Sequence, residues 1–408
     1  SHRTALACDP AHAAALANLA AALLRDGQGD AALAVADRAL RLAPGRVDAM
    51  VIRGDILSAL GQDREAVQTY REAIRQAPDW VAAHWNMAHA LLRLGELAEG
   101  WAEYEWRWRS EALAGQHRNF PQPRWAGETL AGKTILVHAE QGMGDTIQFM
   151  RFFDRVVQAG PSRIYLEAHG PIRPLLELNV DPALVSVISR ASDFPGLSGL
   201  PATDVQIPMM SLATLFCPSV AAIPRGVPYL RAAPDRRDAW TRRMREAAPD
   251  AALRCGLVWA GRPQHRGDAA RSLPLSTLAP LAGVEGVALF SLQVGPSSGQ
   301  VAEVPFPVTD LSADLTDFVE TAAVVEALDL VVAVDTAVAH LAGALARPVW
   351  ILLPHHNDWR WMSDRADSPW YPTARLFRQR RPGDWSDPVS DAAEALRRLV
   401  GGMVGGGG

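Results

Sequence analysis

Lysine is almost absent from this chain: Lys133 is the only one in 408 residues. Any cationic work therefore falls to arginine, a planar fork that grips carboxylate or phosphate through paired hydrogen bonds. Cysteine is nearly as scarce. Cys8, Cys217 and Cys255 are widely spaced, which argues against a disulfide framework or a structural zinc site and fits a reducing, cytoplasmic setting. No uninterrupted apolar run reaches membrane-spanning length, and no signal segment is visible. A net charge of −5 without a basic tract argues against nucleic acid as a partner. Asp-x-Asp triplets are missing altogether, which argues against a metal-held diphosphate. His355-His356 beside Asp358 makes no better metal site, because adjacent side chains diverge.

What is present is a double register. Pro10, Pro44 and Pro78, and likewise Gly27, Gly61 and Gly95, recur at a spacing of 34 residues. Leu16, Leu19, Ala20 and Leu23 share one helical face, with Ala32, Ala36 and Ala39 on the facing one. Met50, Gly54 and Leu57 face Ala66, Tyr70 and Ala73, and Met87, Ala88 and Leu91 face Gly100 and Tyr104. Small residues at fixed offsets let antiparallel helices approach closely, and each glycine supplies the turn. The pattern resembles the tetratricopeptide repeat, whose stacked helix pairs form a groove that receives peptide. Residues 3–10 line up with 38–44, so the chain is expected to begin inside the last helix of an earlier repeat. The register lapses after residue 105, where Trp101, Tyr104 and Trp108 form an aromatic face suited to packing against another element.

Residues 113–130 read as a linker, with Pro121, Pro123 and Gly127. Strand and helix signals then alternate. Strands are expected at 134–138, 163–167 and 204–207, with a helix from 142 through 158. A second series follows at 255–259, 287–292, 328–334 and 349–353. Two groups of alternating strands and helices predict two parallel-sheet α/β domains, with ligand at the carboxyl ends of the strands. The expected domains are a repeat region at 1–112, α/β domains at 113–248 and 249–400, and a disordered glycine-rich tail at 401–408.

Three places carry chemical content. Gly142-Met143-Gly144-Asp145 follows a strand and opens a helix. The glycines allow close backbone approach, while Asp145 either accepts a proton or simply caps the helix. Ile147 stands where a dinucleotide fingerprint needs its third glycine, which disfavours a dehydrogenase. Asp335-Thr336-Ala337 and His340 follow the most apolar strand and open a helix of small residues. Free amides at such a start suit a diphosphate, although Asp335 could cap the helix and His340 could be an ordinary surface residue. Arg262, Arg266 and Arg271, with His265 among them, follow the strand ending at Trp259; they either neutralise phosphate or line a solvated loop. The loop carrying Asp358-Trp359-Arg360-Trp361 and Ser368-Pro369-Trp370-Tyr371-Pro372 closes over a ligand or packs in a core.

Together Glu140-Gln141-Gly142-Met143-Gly144-Asp145, Arg271-Ser272-Leu273-Pro274 and Asp335-Thr336 with His340 resemble the heptosyltransferase-like family 9 glycosyltransferases. The chain as a whole is similar to bacterial proteins that fuse tetratricopeptide repeats to such a domain. The resemblance implies a GT-B fold, with acceptor on the first Rossmann-like domain and nucleotide-sugar on the second. It implies a catalytic role for Asp145, with Gly142 and Gly144 beside it. It assigns the donor to Arg271, where the family has lysine, and to Asp335, Thr336, Ala337 and His340; Ala337 stands in place of the family's glycine. Thr316 falls where the family lines the base, and Trp259, Arg262, Gln293, Asp358 and Arg360 are possible donor-loop residues. The expected reaction is inverting and needs neither metal nor cofactor, with a protein hydroxyl, flagellin being one analogy, as acceptor. A saccharide or lipid-linked acceptor, or a non-catalytic scaffold, are the competing expectations.

Overall fold

The computed structural model describes residues 12–110, 118–190, 200–264 and 267–405. The expected repeat remnant at 3–10, Cys8, His265, Arg266 and the last three glycines lie outside the described residues. The chain divides into two units. One gathers the N-terminal helices with Cys217–Ala222 and Asp358–Asp364; the other holds the rest.

The helical unit contains α1 (Ala13–Arg25), α2 (Gly29–Leu42), α3 (Val47–Ala59), α4 (Asp63–Gln76), α5 (Val81–Leu94) and α6 (Leu97–Tyr104). Gly27, Gly61 and Gly95 adopt φ of 75°, 78° and 80°, a left-handed turn that a side chain would strain. Within the second pair the helices nearly touch. A Cβ on Gly54 would lie 2.4 Å from the Tyr70 ring, so Tyr70 can bury fully only because residue 54 lacks one. Its hydroxyl donates to Asp55 Oδ1 at 2.7 Å, and Asn86 Nδ2 donates to the same oxygen at 2.7 Å. Burial raises the Asp55 carboxyl to about 6, against the pull of these two hydrogen bonds.

The segment Asp358–Asp364, with the possible donor-loop residues Asp358 and Arg360, belongs to this unit. The reason is aromatic packing. Trp359 meets Trp101 edge-on at 5.1 Å and Tyr104 at 6.1 Å, and all three are buried. Arg360 lies over Trp359 and donates to Asp358 at 2.7 Å. Ser363 N–H reaches Arg93 O at 3.1 Å. Beneath it, Arg93 grips Asp63 through Nε at 3.0 Å and Nη2 at 2.7 Å, both residues buried.

The α/β unit carries two parallel sheets. The first comprises β1 (Thr134–His138), β2 (Arg163–Ala168), β3 (Val185–Ser189) and β4 (Val205–Pro208), in the order β3-β2-β1-β4. Its helices include α7 (Met143–Phe149), α8 (Phe153–Gln158) and α9 (Arg173–Leu178). A 3-10 turn at Met150–Phe152 separates α7 from α8, where the sequence reads as one helix. Helix α10 (Pro234–Ala247) leads to the second sheet: β5 (Leu253–Val258), β6 (Val287–Ser291), β7 (Thr309–Asp310), β8 (Leu330–Val334), β9 (Val349–Leu353) and β10 (Ala374–Arg378). Its order is β10-β9-β8-β5-β6-β7, all parallel. Helices α11 (Phe318–Ala327), α12 (Ala337–Ala344) and α13 (Ser386–Gly405) accompany it. This is the expected GT-B arrangement of two Rossmann-like halves.

Two boundaries differ from expectation. Helix α10 packs on α11, with Trp240 Nε1 donating to Glu320 at 2.8 Å, so α10 goes with the second half. Helix α13 runs on through Gly405, so the first five residues of the expected disordered tail are helical.

The candidate functional site

Each sheet reverses its strand order once, beside β1 in the first and beside β5 in the second. A crevice opens at the carboxyl ends of strands at such a point. The chain puts Gly142 to Asp145 after β1, Arg262 and Arg271 after β5, and Asp335 to His340 after β8.

Beyond β1 the backbone is forced into a sharp turn. Gln141 adopts φ of 54°, an unusual conformation for a side-chain-bearing residue. Its carbonyl accepts from Arg190 Nη1 at 3.1 Å and lies 3.0 Å from His169 Nε2. Gly142 N–H then donates to Asp145 Oδ2 at 2.7 Å, so the carboxylate steadies the start of its own helix. Of the two readings from sequence, the cap is the one seen here.

Around it stands a charge cluster that sequence reasoning did not identify. Arg118 clasps the fully buried Glu167 with two bonds of 2.7 and 2.6 Å. Glu140, also buried, accepts from Met210 N–H at 3.1 Å. Arg190 Nη1 lies 2.9 Å from His169 Nε2. Burial, then the Arg190 charge, depress His169 to about 4, while Asp145 pulls the other way. His169 is therefore neutral at physiological pH. Burial likewise lowers Arg190, with Glu167 opposing it. Glu140 stood inside the glycine motif as a visible signal; Arg190, His169 and Arg118 come from distant parts of the chain and left none.

The two halves meet at Gly144. A Cβ there would lie 2.8 Å from His340 Cδ2 and 3.5 Å from Ala337 Cα. Helix α7 therefore lies directly on the start of α12, with Gly144 against Ala337 and His340. Thr336 is the N-cap, but its hydroxyl turns back to Val334 O at 3.2 Å and makes no cap bond to α12. His340 is buried rather than lying open beside Thr336. Its Nδ1 is 2.8 Å from Tyr371 Oη, and its Nε2 is 3.7 Å from Asp335 Oδ1.

On the β5 side Arg271 folds over Gly261: a Cβ on that glycine would lie 2.7 Å from Arg271 Nη2. Asp268 Oδ1 accepts from Arg271 Nε at 3.4 Å. Arg262 is exposed, and its charge reaches His169 and lowers it further. Two donor-loop expectations need correction. Trp259 is fully buried in the hydrophobic core of the second sheet, and Gln293 is a buried brace whose Oε1 accepts from Trp259 N–H at 3.1 Å and Ala260 N–H at 2.9 Å. Both shape the loop from beneath, because an apolar strand end demands burial and its amides demand an acceptor. Thr316 is exposed on the turn before α11, its N–H bonded to Asp314 O.

Comparison with known proteins agrees with this architecture. Residues 54–95 match the tetratricopeptide repeat, and residues 301–382 match glycosyltransferase family 9 (heptosyltransferase). Protein FlbA of Caulobacter vibrioides is 28% identical over 419 residues, covering 97% of this chain and 69% of that protein. Among solved structures, a family 9 glycosyltransferase from Veillonella parvula is 13% identical with a TM-score of 0.46, over 67% of this chain and 98% of that one. The ADP-heptose LPS heptosyltransferase II of E. coli is 16% identical with a TM-score of 0.47, over 65% and 98%. No helix among the described residues is long and apolar enough to cross a membrane. The chain thus carries a segment similar to the tetratricopeptide repeat, at 54–95, and one similar to glycosyltransferase family 9, at 301–382, which supports a glycosyltransferase.

Proposed function

We propose that this protein transfers a sugar, with inversion and without a metal ion, from a nucleotide-sugar to a Ser or Thr hydroxyl of a protein recruited by the repeats. One observation carries the chemistry. The contact of Gly144 with His340 and Ala337 brings the helix that carries Asp145 against the helix that opens at Thr336, which supports this reading. A base on one half then faces an anion site on the other, which is what displacement of a nucleoside diphosphate requires.

In this reading Asp145 orients the acceptor hydroxyl and takes its proton. A hydroxyl is a far weaker acid than a carboxyl, so the proton moves late, as the bond to the leaving oxygen breaks and positive charge builds on the sugar. Such assistance contributes roughly 10²–10⁴-fold. The diphosphate leaves toward Arg271 and the first amides of α12, whose dipole places about half a positive charge there. Arg262 extends that field toward His169. Charge stabilisation of the leaving group contributes on the order of 10²–10³-fold for each well-placed donor. The lack of an Asp-x-Asp triplet in the sequence supports the metal-independent reading.

The protein acceptor is supported by the repeats, whose groove is a peptide-binding surface in proteins of this architecture. The test is mass spectrometry of candidate acceptor proteins after incubation with a panel of nucleotide-sugars, comparing wild type with Asp145→Asn. A mass increment equal to the donated sugar on Ser or Thr, lost in the variant while nucleotide binding persists, is the expected result. Equal transfer by Asp145→Asn removes this residue from the mechanism, and transfer only to free saccharide removes the protein acceptor.

A further inference from the structure

The peptide that joins Gln141 to Gly142 is held at both ends. Its carbonyl oxygen accepts from Arg190 Nη1 at 3.1 Å, and its N–H donates to Asp145 Oδ2 at 2.7 Å. The bond is trans. Such a peptide is planar, with C=O and N–H pointing opposite ways, so fixing one end aims the other. Arg190 is itself anchored for the task. It follows directly on β3, and its own N–H donates at 2.6 Å to the oxygen of Ala168, the buried last residue of β2. From there its side chain reaches across β2 to the turn after β1. The turn so held carries strain. Gln141 sits at φ of 54°, a left-handed conformation that disfavours any residue with a Cβ.

We propose that Arg190 is a positioning residue: by gripping the Gln141 carbonyl it holds residue 141 in the left-handed region and so aims the Gly142 N–H at the Asp145 carboxylate. A guanidinium has donors only and a carbonyl oxygen accepts only, so the bond between them runs in one direction. Because the donor is a cation, the bond also polarises the peptide and strengthens the N–H offered to Asp145. His169 Nε2 stands 3.0 Å from the same oxygen, but this imidazole is neutral at physiological pH, so the charge at the carbonyl is the arginine's. The cation also lies within electrostatic reach of Asp145 itself. A direct through-space effect and a grip on the turn differ in one respect: only the grip matters less once residue 141 can adopt the left-handed backbone freely. Its consequence for transfer rests on the reading of Asp145 given above; the grip itself does not.

The test compares Gln141→Gly with Gln141→Ala in the full chain, each with Arg190 intact and with Arg190→Met. Both substitutions remove the glutamine side chain, and only alanine resists the left-handed backbone. With Arg190 present the Gln141→Gly variant should therefore have the higher Tm. Without it the turn is free to relax, and the gap should vanish or change sign, because glycine then contributes only its larger unfolded-state entropy. Equal Tm values with Arg190 intact overturn the proposal, even if Arg190→Met fails to fold. A gap that survives in Arg190→Met overturns it too; Arg190→Gln, too short to reach the carbonyl, serves if the methionine variant does not fold. These readings need no substrate, so they stand apart from the fate of Asp145→Asn. Product formation gives the second arm. Arg190→Met should lower transfer at least about tenfold, the ratio set by the cost of a left-handed residue. In the Gln141→Gly background the same change should lower transfer no more than about threefold, since glycine adopts that conformation without strain. An equal loss in both backgrounds means that Arg190 acts on Asp145 through space and overturns the positioning role. A parent that transfers nothing refutes the reaction and leaves the Tm comparison to decide the grip.

Discussion

The α-carbon of Gly144 lies so close to the His340 ring that a single added methyl would stand 2.8 Å from Cδ2. That contact joins the helix carrying Asp145 to the helix whose amides open on the second crevice. It also explains why glycine occupies the position: the helix there is regular, so the demand is for space and not for an unusual φ.

Gly144→Ala is accordingly expected to do more than an ordinary helix substitution. His340 must move, and it is held by Tyr371. Overpacking of this kind costs about 1–3 kcal/mol, so a lower Tm should accompany a loss of transfer, read by thermal unfolding and product formation. Unaltered values for both would show that the two helices do not meet in solution.

Arg190→Met tests the turn before Asp145. Arg190 holds Gln141 O and charges the surroundings of His169. Removing the cation should raise His169 from about 4, though not to its ordinary value, since burial is the larger cause. An NMR titration reads this directly. Transfer should fall at least tenfold as the turn loosens, with nucleotide affinity kept, because Arg190 sits on the other half. An unmoved His169 titration would mean that the guanidinium is turned elsewhere.

In the helical unit, Arg93→Met leaves Asp63 buried beside Ser58 without its partner. Breaking such a pair costs about 3–5 kcal/mol, and replacing both members with apolar residues recovers most of it. Chemical denaturation of Arg93→Met, Asp63→Leu and the double variant provides the cycle. A double variant no more stable than Arg93→Met would contradict the pairing.

Asp55 yields a pH prediction of definite sign. Its folded carboxyl titrates at about 6, against 3.8 when exposed. The folded state therefore binds the extra proton between these values, and the stability this contributes is lost as pH rises through about 6. His89, depressed to about 4 chiefly by burial, acts in the opposite direction in the same window, so only a difference between variant and parent isolates Asp55. Asp55→Asn keeps an acceptor for Tyr70 and Asn86 but cannot ionise. It should be more stable than the parent at pH 7.5, by at most about 3 kcal/mol, with the gap closing near pH 4. A gap independent of pH would refute the raised carboxyl.

How far the sequence could be read follows a physical line. Strands 134–138 and 349–353 are found with their expected bounds, being buried runs inside parallel sheets. The three that escaped notice, β3, β7 and β10, all lie at sheet edges. An edge strand is solvated along one side and carries polar residues, such as Arg375 and Arg378 in β10, so its apolar signal is weak. The packing of the segment at Asp358 and Arg360 was illegible for a related reason. Their position just past β9 suggested a donor loop, while Trp359 between them packs on Trp101 and Tyr104, which are remote in the chain.

The sequence by itself determined what local rules govern: the helix pairs with their left-handed glycines, the alternation of strand and helix, and the glycine-rich turn that presents Asp145. These depend on backbone conformation and on apolar spacing over a few residues. Only the tertiary structure decided which charges surround that carboxylate and which groups stand behind His340. Arg118, Glu167, His169 and Arg190 converge on one side, and Arg151, Tyr229 and Tyr371 on the other, because packed helices and parallel strands bring distant segments together. Electrostatics acts through space, so no window of sequence, however long its register, contains it.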